Sequence, residues 1–205
     1  MIGIGLRAQK GGAVAVVLSV TANGPQMRFS GSISTAAEGD RLSFEPYRVA
    51  FEMARKPQGG ASDEAKAAVQ EGRRRQDRLA ADGLRAVAEA WPGPAVAALL
   101  VNRAGWITDL LDYSLGWAEH VPVAETLAVR DALRFAIAEC GLERSELDEK
   151  SLPDHASQVL GLPVAEIDAQ LKGLGLAVGK PWRKEQKLAC LAAWVAALPR
   201  VGDLP

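Results

Sequence analysis

The start of the chain decides the fold, because three extended segments follow one another there: Ile2-Gly3-Ile4-Gly5-Leu6-Arg7, Ala13 to Thr21 and Gln26 to Ser34. The second segment is rich in valine, a β-branched residue that favours a central strand. The third alternates apolar and polar residues, which indicates a strand with one face in water. Because Gly11-Gly12 and Asn23-Gly24-Pro25 supply turns between the segments, we predict three antiparallel neighbouring strands, a β-meander.

A long helix and a buried strand are predicted after the meander. Ser62 has the character of an N-cap, and the helix that it opens is expected to run to about Trp91, where Pro92-Gly93-Pro94 stops it. Ala95 to Val101 is a short, continuous apolar run between helix breakers, which favours a buried parallel strand. A meander followed by a helix and such a strand predicts an α/β fold with a mixed sheet.

The part of the sequence from about residue 104 onward is mostly helical. We predict three longer helices here, each bounded by proline or glycine: Pro122 to Gly141, Pro163 to about Gly173, and one that follows Pro181. A glycine-rich loop is expected over residues 173–179, and Leu142 to Leu152 could contain one more short strand. Earlier in the chain, Lys56 to Ala61 has the composition of a loop tip.

Composition excludes several classes of protein. The 205 residues include 24 Lys and Arg against 25 Asp and Glu, a net charge of -1, which excludes a globally basic nucleic-acid binder but leaves a local patch open. Cys140 and Cys190 lie in apolar helical patterns, which predicts reduced core thiols and a cytoplasmic location. The longest apolar run, Leu188 to Leu198, is about half of the ~20 residues that a membrane span requires, so we expect no membrane partner.

Two glycine-rich stretches carry letters of nucleotide-binding motifs. Gly3 to Ala8 matches a dinucleotide fingerprint, but a second strand follows it rather than the helix that a pyrophosphate needs. Gly175 to Pro181 hints at a P-loop, but the glycine spacing is too short and Pro181 replaces the hydroxyl residue that binds Mg²⁺. We therefore expect no nucleotide cofactor. Gly3 and Gly5 are then explained by close packing or by a strand that faces a ligand.

Two basic clusters are candidates for anion binding. On the long helix, Arg74 and Arg78 are four residues apart and share a face, although a solvated face with Glu71 paired to Arg75 explains the same pattern. Around Trp182, basic side chains gather at the start of the last helix: Lys180, Arg183, Lys184 and Lys187. An aromatic ring among cations could stack on a base, or it could simply dock at the helix start.

Metal ligands in ordinary spacing are not found. His120 and His155 have no neighbouring ligand at the usual separation, and neither cysteine lies in a catalytic motif. Asp109 and Asp112 are three residues apart on one helix face and could share a cation. The residues alone therefore predict no metal centre.

The order of elements, a three-stranded meander, a long helix, a strand and a helical remainder, resembles the ribonuclease H-like superfamily. The opening Ile2 to Arg7 resembles the first strand of its Holliday-junction resolvases, Ala95 to Arg103 is similar to their fourth strand, and Pro181 to Ala189 looks like their last helix. The resemblance covers most of the chain. It implies a single ribonuclease H-like domain over residues 1–205, with a mostly helical portion from about residue 104.

The resemblance also implies where catalytic carboxylates should stand. The resolvases place one carboxylate on the first strand and another at the end of the fourth, and together these hold two Mg²⁺ ions. This sequence has Gly5 and Asn102 at the matching positions, Arg103 next, and Glu185 on the last helix. Because one carboxylate cannot clamp two divalent ions, we expect a non-catalytic module without a cofactor. Its partner is nucleic acid or a protein, bound by a set of polar and basic residues: Asn102, Arg103, Arg74, Arg78, Lys180 and Arg183.

Two other functions stay open at this point. The first is a nuclease that uses Mg²⁺ or Mn²⁺ with a displaced set of carboxylates: Asp109, Asp112 and Glu185. The second is a structural or assembly role, because tryptophans on the predicted helices could form the face of a homodimer: Trp106, Trp117 and Trp194.

Overall fold

The computed structural model describes residues 1–53, 61–102 and 106–198. Residues 56–60 of the predicted loop tip and the candidate Arg103 lie outside the described residues. The described strands are β1 (Ile2–Gln9), β2 (Gly12–Thr21), β3 (Gly24–Ser34), β4 (Ala95–Val101) and β5 (Glu143–Asp148). The predicted meander, the buried strand and the short strand inside Leu142 to Leu152 are therefore confirmed.

The five strands form one mixed sheet in the order β3-β2-β1-β4-β5. The meander pairs antiparallel, with Ile4 opposite Val17, whereas β4 lies parallel to β1 and β5 lies parallel to β4. Strands β1, β4 and β5 thus end at the same side of the sheet, which we call the carboxyl edge. Strand β3 also ends there, because it is antiparallel to β2.

The helices occupy the connections and both faces of the sheet. They are α1 (Arg41–Phe44), α2 (Pro46–Met53), α3 (Asp63–Ala90), α4 (Leu110–Gly116), α5 (Val121–Glu139), α6 (Leu152–Leu160), α7 (Val164–Val178) and α8 (Lys184–Ala196), with a 3₁₀ turn at Ala118–His120. The hydroxyl of Ser62 accepts from the amide of Ala65 and caps α3, as predicted. No helix in the described parts of the chain is long and apolar enough to cross a membrane.

Each face of the sheet has its own core. Helix α8 packs on the face that carries Val16, Leu18 and Ala98, and α6 and α7 complete that core. Helices α3 and α5 pack on the opposite face against Ile4, Leu99 and their neighbours. Free Cys190 is fully buried on α8, and free Cys140 is half-buried at the end of α5.

Glycines on β1 allow α8 to lie directly on the strand. A Cβ atom added to Gly3 would collide with the backbone carbonyl of Ala193, and one added to Gly5 would collide with the carbonyl of Ala189. Neither backbone group can move aside independently, because each belongs to a regular element. Close packing, one of the two explanations that the sequence left open for these glycines, accounts for both.

A third, smaller core lies beyond the carboxyl edge. Gly83 of α3 packs against Ile33 near the end of β3, so the roughly 20 residues of α3 before it extend past the sheet by about 30 Å at most. Against this overhang pack apolar residues of α2 and α5: Tyr47, Ala50, Val121, Ala124 and Ala128. Glu125 is buried here as well, and its Oε1 accepts the backbone N–H of Arg48 at 2.9 Å.

Two helix predictions were wrong in detail. Helix α7 does not end near Gly173 but continues to Val178, because Gly175 gives room for the ring of Trp182, whose Nε1 donates to the carbonyl of Leu171 at 3.0 Å. The predicted glycine loop is thus the last turns of a helix. The helix between Trp106 and Trp117 is shorter than expected and covers only α4, since the side chain of Asp109 caps it.

Candidate functional site

Polar side chains lie at the carboxyl edge of the sheet, outside the apolar cores. Parallel strands that end together leave loops and helix starts at one edge, which is where binding sites in α/β folds form. Here β5 leads into α6, and α8 lies along β1 with its beginning toward this edge. The site is described below for one face of the sheet and then for the other.

On the α8 face, an ion pair crosses the edge. Arg7 points to this face like Gly3 and Gly5, since residues two apart on a strand share a face. Its Nε donates to Glu149 Oε2 at 2.9 Å and its Nη2 donates to Oε1 at 3.0 Å. Glu149 follows β5, and its backbone N–H donates to the carbonyl of Val101, so the pair spans the end of β4. Both side chains are about one quarter exposed.

Glu185 belongs to the same corner of the molecule. Ala193 lies on Gly3 and Ala189 lies on Gly5, so four residues along α8 match two residues along β1. If this register continues by one step, we expect Glu185 to lie near Arg7, because four helical residues rise ~6 Å and two strand residues rise ~6.6 Å. Arg7 is nevertheless bonded to Glu149.

The two Mg²⁺ ions that the resemblance implies do not fit this corner. No carboxylate can stand at Gly5, because even a Cβ atom there meets the backbone of α8. The guanidinium of Arg7 already occupies both oxygens of Glu149. Within the described ranges, no three His, Cys, Asp or Glu side chains are grouped so that they could hold a metal ion.

On the opposite face, Asn102 covers a buried arginine. Asn102 is exposed directly after β4, and its Oδ1 accepts from Nη1 of Arg130 at 2.9 Å. Arg130 on α5 is only 6% exposed, and its Nε has no acceptor among the described residues. Burial, followed by the neighbouring charge of Arg134, lowers the pKa of Arg130. A guanidinium is still charged at neutral pH, so this is a buried cation held by a neutral amide.

The neighbouring arginines of this face are neutralised by carboxylates. Asp131 accepts from Arg73 and from Arg134, each at 2.8 Å, and Glu146 accepts from Arg134 through both oxygens. A cavity of about 470 Å³ opens among these residues and is also lined by Asn102, Arg130, Thr108 and Asp109. Among the described residues that line it, the charged ones are three arginines and two aspartates.

Four of the cations predicted from sequence lie in the described ranges toward the carboxyl edge, but on separate surfaces. Arg74 and Arg78 are exposed on the part of α3 that extends past the sheet, while Lys180 and Arg183 are exposed before α8 on the other face. Arg74 is held by Glu71, which also accepts from Arg75, as the solvated-face interpretation predicted. These two bonds hold the pKa of Glu71 at about 2.

Several other candidates have structural roles. Trp182 docks on Gly175, so of the two interpretations the docked ring applies. Asp109 accepts from the amides of Leu111 and Asp112 and caps α4. Asp109 and Asp112 lie with α5, across the sheet from Glu185, so the structure does not bring the three displaced carboxylates together.

The aromatic residues predicted for a dimer face are separated. Trp194 is 4% exposed in the α8 core and cannot contribute to a surface, so that part of the prediction was wrong. Trp106 and Trp117 are 70% and 69% exposed. The ring of Tyr113 meets Trp106 edge-on and stacks on His120 at 4.0 Å between centroids. The homodimer stays a prediction.

Sequence reasoning missed Arg7, Glu149 and Arg130. In the sequence, Arg7 indicates no more than the end of a strand, and the polar residues of β5 do not indicate where Glu149 lies. Arg130 did leave a signal, because it interrupts the apolar face of α5 next to Val129 and Leu133. A charged residue inside such a face needs a partner or a ligand when it is buried.

Comparison with known proteins establishes the fold. No protein-family model matches the sequence, and no curated protein matches it. Among solved structures, RuvC of Thermus thermophilus matches with a TM-score of 0.52 and 13% identity, over 95% of this chain and 92% of that one. T. thermophilus RuvC in complex with a Holliday junction substrate matches with a TM-score of 0.51 and 14% identity, over 95% and 91%.

A mitochondrial Holliday junction resolvase from yeast is also similar, with a TM-score of 0.42 and 11% identity, over 94% of this chain and 76% of that one. The match to RuvC confirms the α/β, ribonuclease H-like fold that the order of elements predicted, with its mixed five-stranded sheet. At these identities the likeness concerns the fold.

Proposed function

We propose that this chain is a non-catalytic ribonuclease H-like module that binds nucleic acid at the carboxyl edge of its sheet. The observation that carries the proposal is the Arg7–Glu149 ion pair, which closes the corner at the end of β1 to metal ions. In the resolvases that the sequence resembles, the first strand carries a metal-binding carboxylate at the position of Gly5, two residues before Arg7. Because Glu149 neutralises the guanidinium of Arg7, the pair leaves neither oxygen of Glu149 free for a divalent cation, and the attraction for phosphate comes from the exposed cations around it.

Exposed cations at the same edge support binding. Arg78, Lys180 and Arg183 are exposed, and each phosphate that such a side chain neutralises releases a counterion. The net charge of -1 means that this attraction is local and does not come from the chain as a whole. One of the similar solved structures is RuvC with a Holliday junction substrate, so a branched DNA is the first ligand to try.

The corner formed by Gly5, Arg7 and Glu149 is unsuitable for metal ions, which supports a module that binds nucleic acid without cleaving it. Two-metal phosphodiester cleavage needs carboxylates that hold both ions about 4 Å apart. Gly5 leaves no space for one of them, and Arg7 engages the carboxylate that follows β5. We therefore assign no catalytic residue, and the chemistry of this edge is recognition of anions.

Fluorescence anisotropy tests the proposal with labelled four-way junction, duplex and single-stranded DNA, each with and without Mn²⁺. We expect the affinity to fall steeply between 50 and 200 mM salt, by roughly tenfold for every two phosphate contacts. The DNA should be recovered intact. If none of the three DNAs binds at low salt, the nucleic-acid role is contradicted. Cleavage that requires Mn²⁺ contradicts the non-catalytic one.

A further inference from the structure

We propose that the cavity beside Asn102 and Arg130 is a binding site for a phosphate monoester, distinct from the nucleic-acid surface around Arg7. The site lies on the α5 face of the sheet, whereas Arg7 and Glu149 lie on the α8 face. It does not depend on the proposed function, because a small anion can enter this cavity whether or not DNA binds at the edge.

The charge of Arg130 is the first argument. A buried guanidinium is costly unless an anion or several acceptors compensate it. Among the described residues, the one acceptor bonded to Arg130 is the neutral oxygen of Asn102, and Nε has none. Asp131, the adjacent carboxylate, is already shared by Arg73 and Arg134. The carboxylates whose charges reach Arg130 are Asp131, Glu146 and Glu149, and each is bonded to another arginine. Among the described residues, Arg130 is thus a cation in the wall of a cavity with no ion pair of its own.

The donors around the cavity favour an oxyanion with several oxygens. Asn102 accepts with its oxygen, so its amide NH₂ group is a neutral donor, and Thr108, which also lines the cavity, carries a hydroxyl. Asp109 is engaged in capping α4 and Asp131 in its two ion pairs, which limits their repulsion of an incoming anion. An arginine fork with neutral donors is the usual composition of a phosphate site.

The size and walls of the cavity indicate what the phosphate is attached to. About 470 Å³ lies in the range of pockets for small organic ligands and exceeds what a lone phosphate fills. Apolar side chains also line the cavity: Val69, Ile107, Leu110, Leu111 and Leu127. The ligand therefore has a phosphate head and an apolar or aromatic body. A phosphorylated small molecule and the 5′-phosphorylated end of a nucleic-acid strand both have this chemistry.

Isothermal titration of the full chain with phenyl phosphate tests the site at constant ionic strength. We expect saturable binding, and at least tenfold weaker binding in Arg130→Gln, because that change removes the cation but keeps the hydrogen bond to Asn102 within reach. Asn102→Ala, at the exposed mouth, should weaken binding several-fold without affecting the fold. Arg85→Gln, an exposed arginine elsewhere on α3, should bind as the unmodified chain does.

A second arm separates the two sources of phosphate. Oligonucleotides of one sequence with a 5′-phosphate or a 5′-hydroxyl are compared. If the protein binds the 5′-phosphorylated strand more tightly, and Arg130→Gln abolishes this preference, the site is assigned to strand ends. Equal affinity for the two, with phenyl phosphate still bound, assigns it to small molecules. Failure of phenyl phosphate to bind at millimolar concentration, or binding that Arg130→Gln and Asn102→Ala leave unchanged, overturns the proposal while leaving the junction-binding test untouched.

Discussion

Arg7 and Glu149, 142 residues apart in sequence, are joined by two parallel hydrogen bonds of 2.9 and 3.0 Å across the end of β4. The pair ties the first strand of the meander to the loop that leaves the last strand of the sheet. It therefore fixes the geometry of the carboxyl edge and, at the same time, engages both oxygens of Glu149.

The energy of this pair can be measured with a double-mutant cycle of Arg7→Gln and Glu149→Gln. Two-point geometry favours the bond, but both side chains are about one quarter exposed and water screens them. We expect a coupling energy of about 1 kcal/mol in urea unfolding, reduced in high salt. A coupling energy of zero would show that the two residues do not stabilise the edge.

The contact between β1 and α8 predicts that Gly5→Ala is strongly destabilising. The added methyl group meets the carbonyl of Ala189, so strand and helix must separate, at a cost of about 1–3 kcal/mol or more in free energy of unfolding. Gly173→Ala on α7 is the matched control. It has open space and should instead gain up to about 1 kcal/mol from helix propensity. Equal effects of the two substitutions on the urea midpoint would contradict the packing described here.

Glu125 predicts a loss of stability as pH rises. Burial raises its pKa to about 7, against the lowering effect of backbone N–H groups from Arg48 and Tyr47. A carboxyl whose pKa is raised by folding stabilises the protein below its unfolded value of 4.5, and that stabilisation is lost as pH rises through 7. The total change is roughly 3 kcal/mol, since each pKa unit corresponds to 1.36 kcal/mol.

Urea unfolding of the unmodified chain and of Glu125→Gln between pH 5 and 8 measures this effect. The unmodified chain should lose stability over that range, and the variant should lose much less, because the amide does not ionise. Glu139→Gln, an exposed position at the end of the same helix, should follow the unmodified chain. Parallel curves for the unmodified chain and Glu125→Gln would be inconsistent with a buried, titrating Glu125.

Charge reversal at exposed positions tests where nucleic acid binds. Arg78→Glu combined with Arg183→Glu should weaken junction binding by more than tenfold and reduce the slope of log K against log salt by about 2, if each arginine contacts one phosphate. Arg28→Glu, an exposed arginine on edge strand β3, is the control and should change neither value appreciably. If Arg28→Glu weakens junction binding as much as the double variant does, binding is diffuse rather than located at the carboxyl edge.

The sheet was predictable from sequence because its signals are local. Valine-rich and alternating segments, the turn at Asn23-Gly24-Pro25 and the cap at Ser62 each act within a few residues, and together they determine the element order. Helix α7 was not predictable in the same way. Gly173 and Gly175 indicate a helix end by composition, but the ring of Trp182 needs a glycine under it, and this tertiary contact overrides the local preference.

The site was less predictable for a related reason. The exposed cations Arg78, Lys180 and Arg183 could be found by counting charges, since position on a helix start or face is local information. The Arg7–Glu149 bond joins residues far apart in the chain, and nothing in either neighbourhood indicates the other. Arg130 interrupts the apolar face of α5, which indicates burial, but its partner Asn102 follows only from the assembled structure.

The register of Gly3 with Ala193 and Gly5 with Ala189 also bears on how such a protein can change over generations. In the genetic code, glycine and aspartate codons differ by a single base, so a carboxylate on β1 is one nucleotide change away. The carbonyl groups of α8 stand in its path, however, and the helix would have to move outward first. Metal chemistry at this corner would require several coordinated substitutions, the earliest of which would destabilise the contact between β1 and α8. The packing of one helix on two glycines thus limits which single substitutions on β1 the fold tolerates.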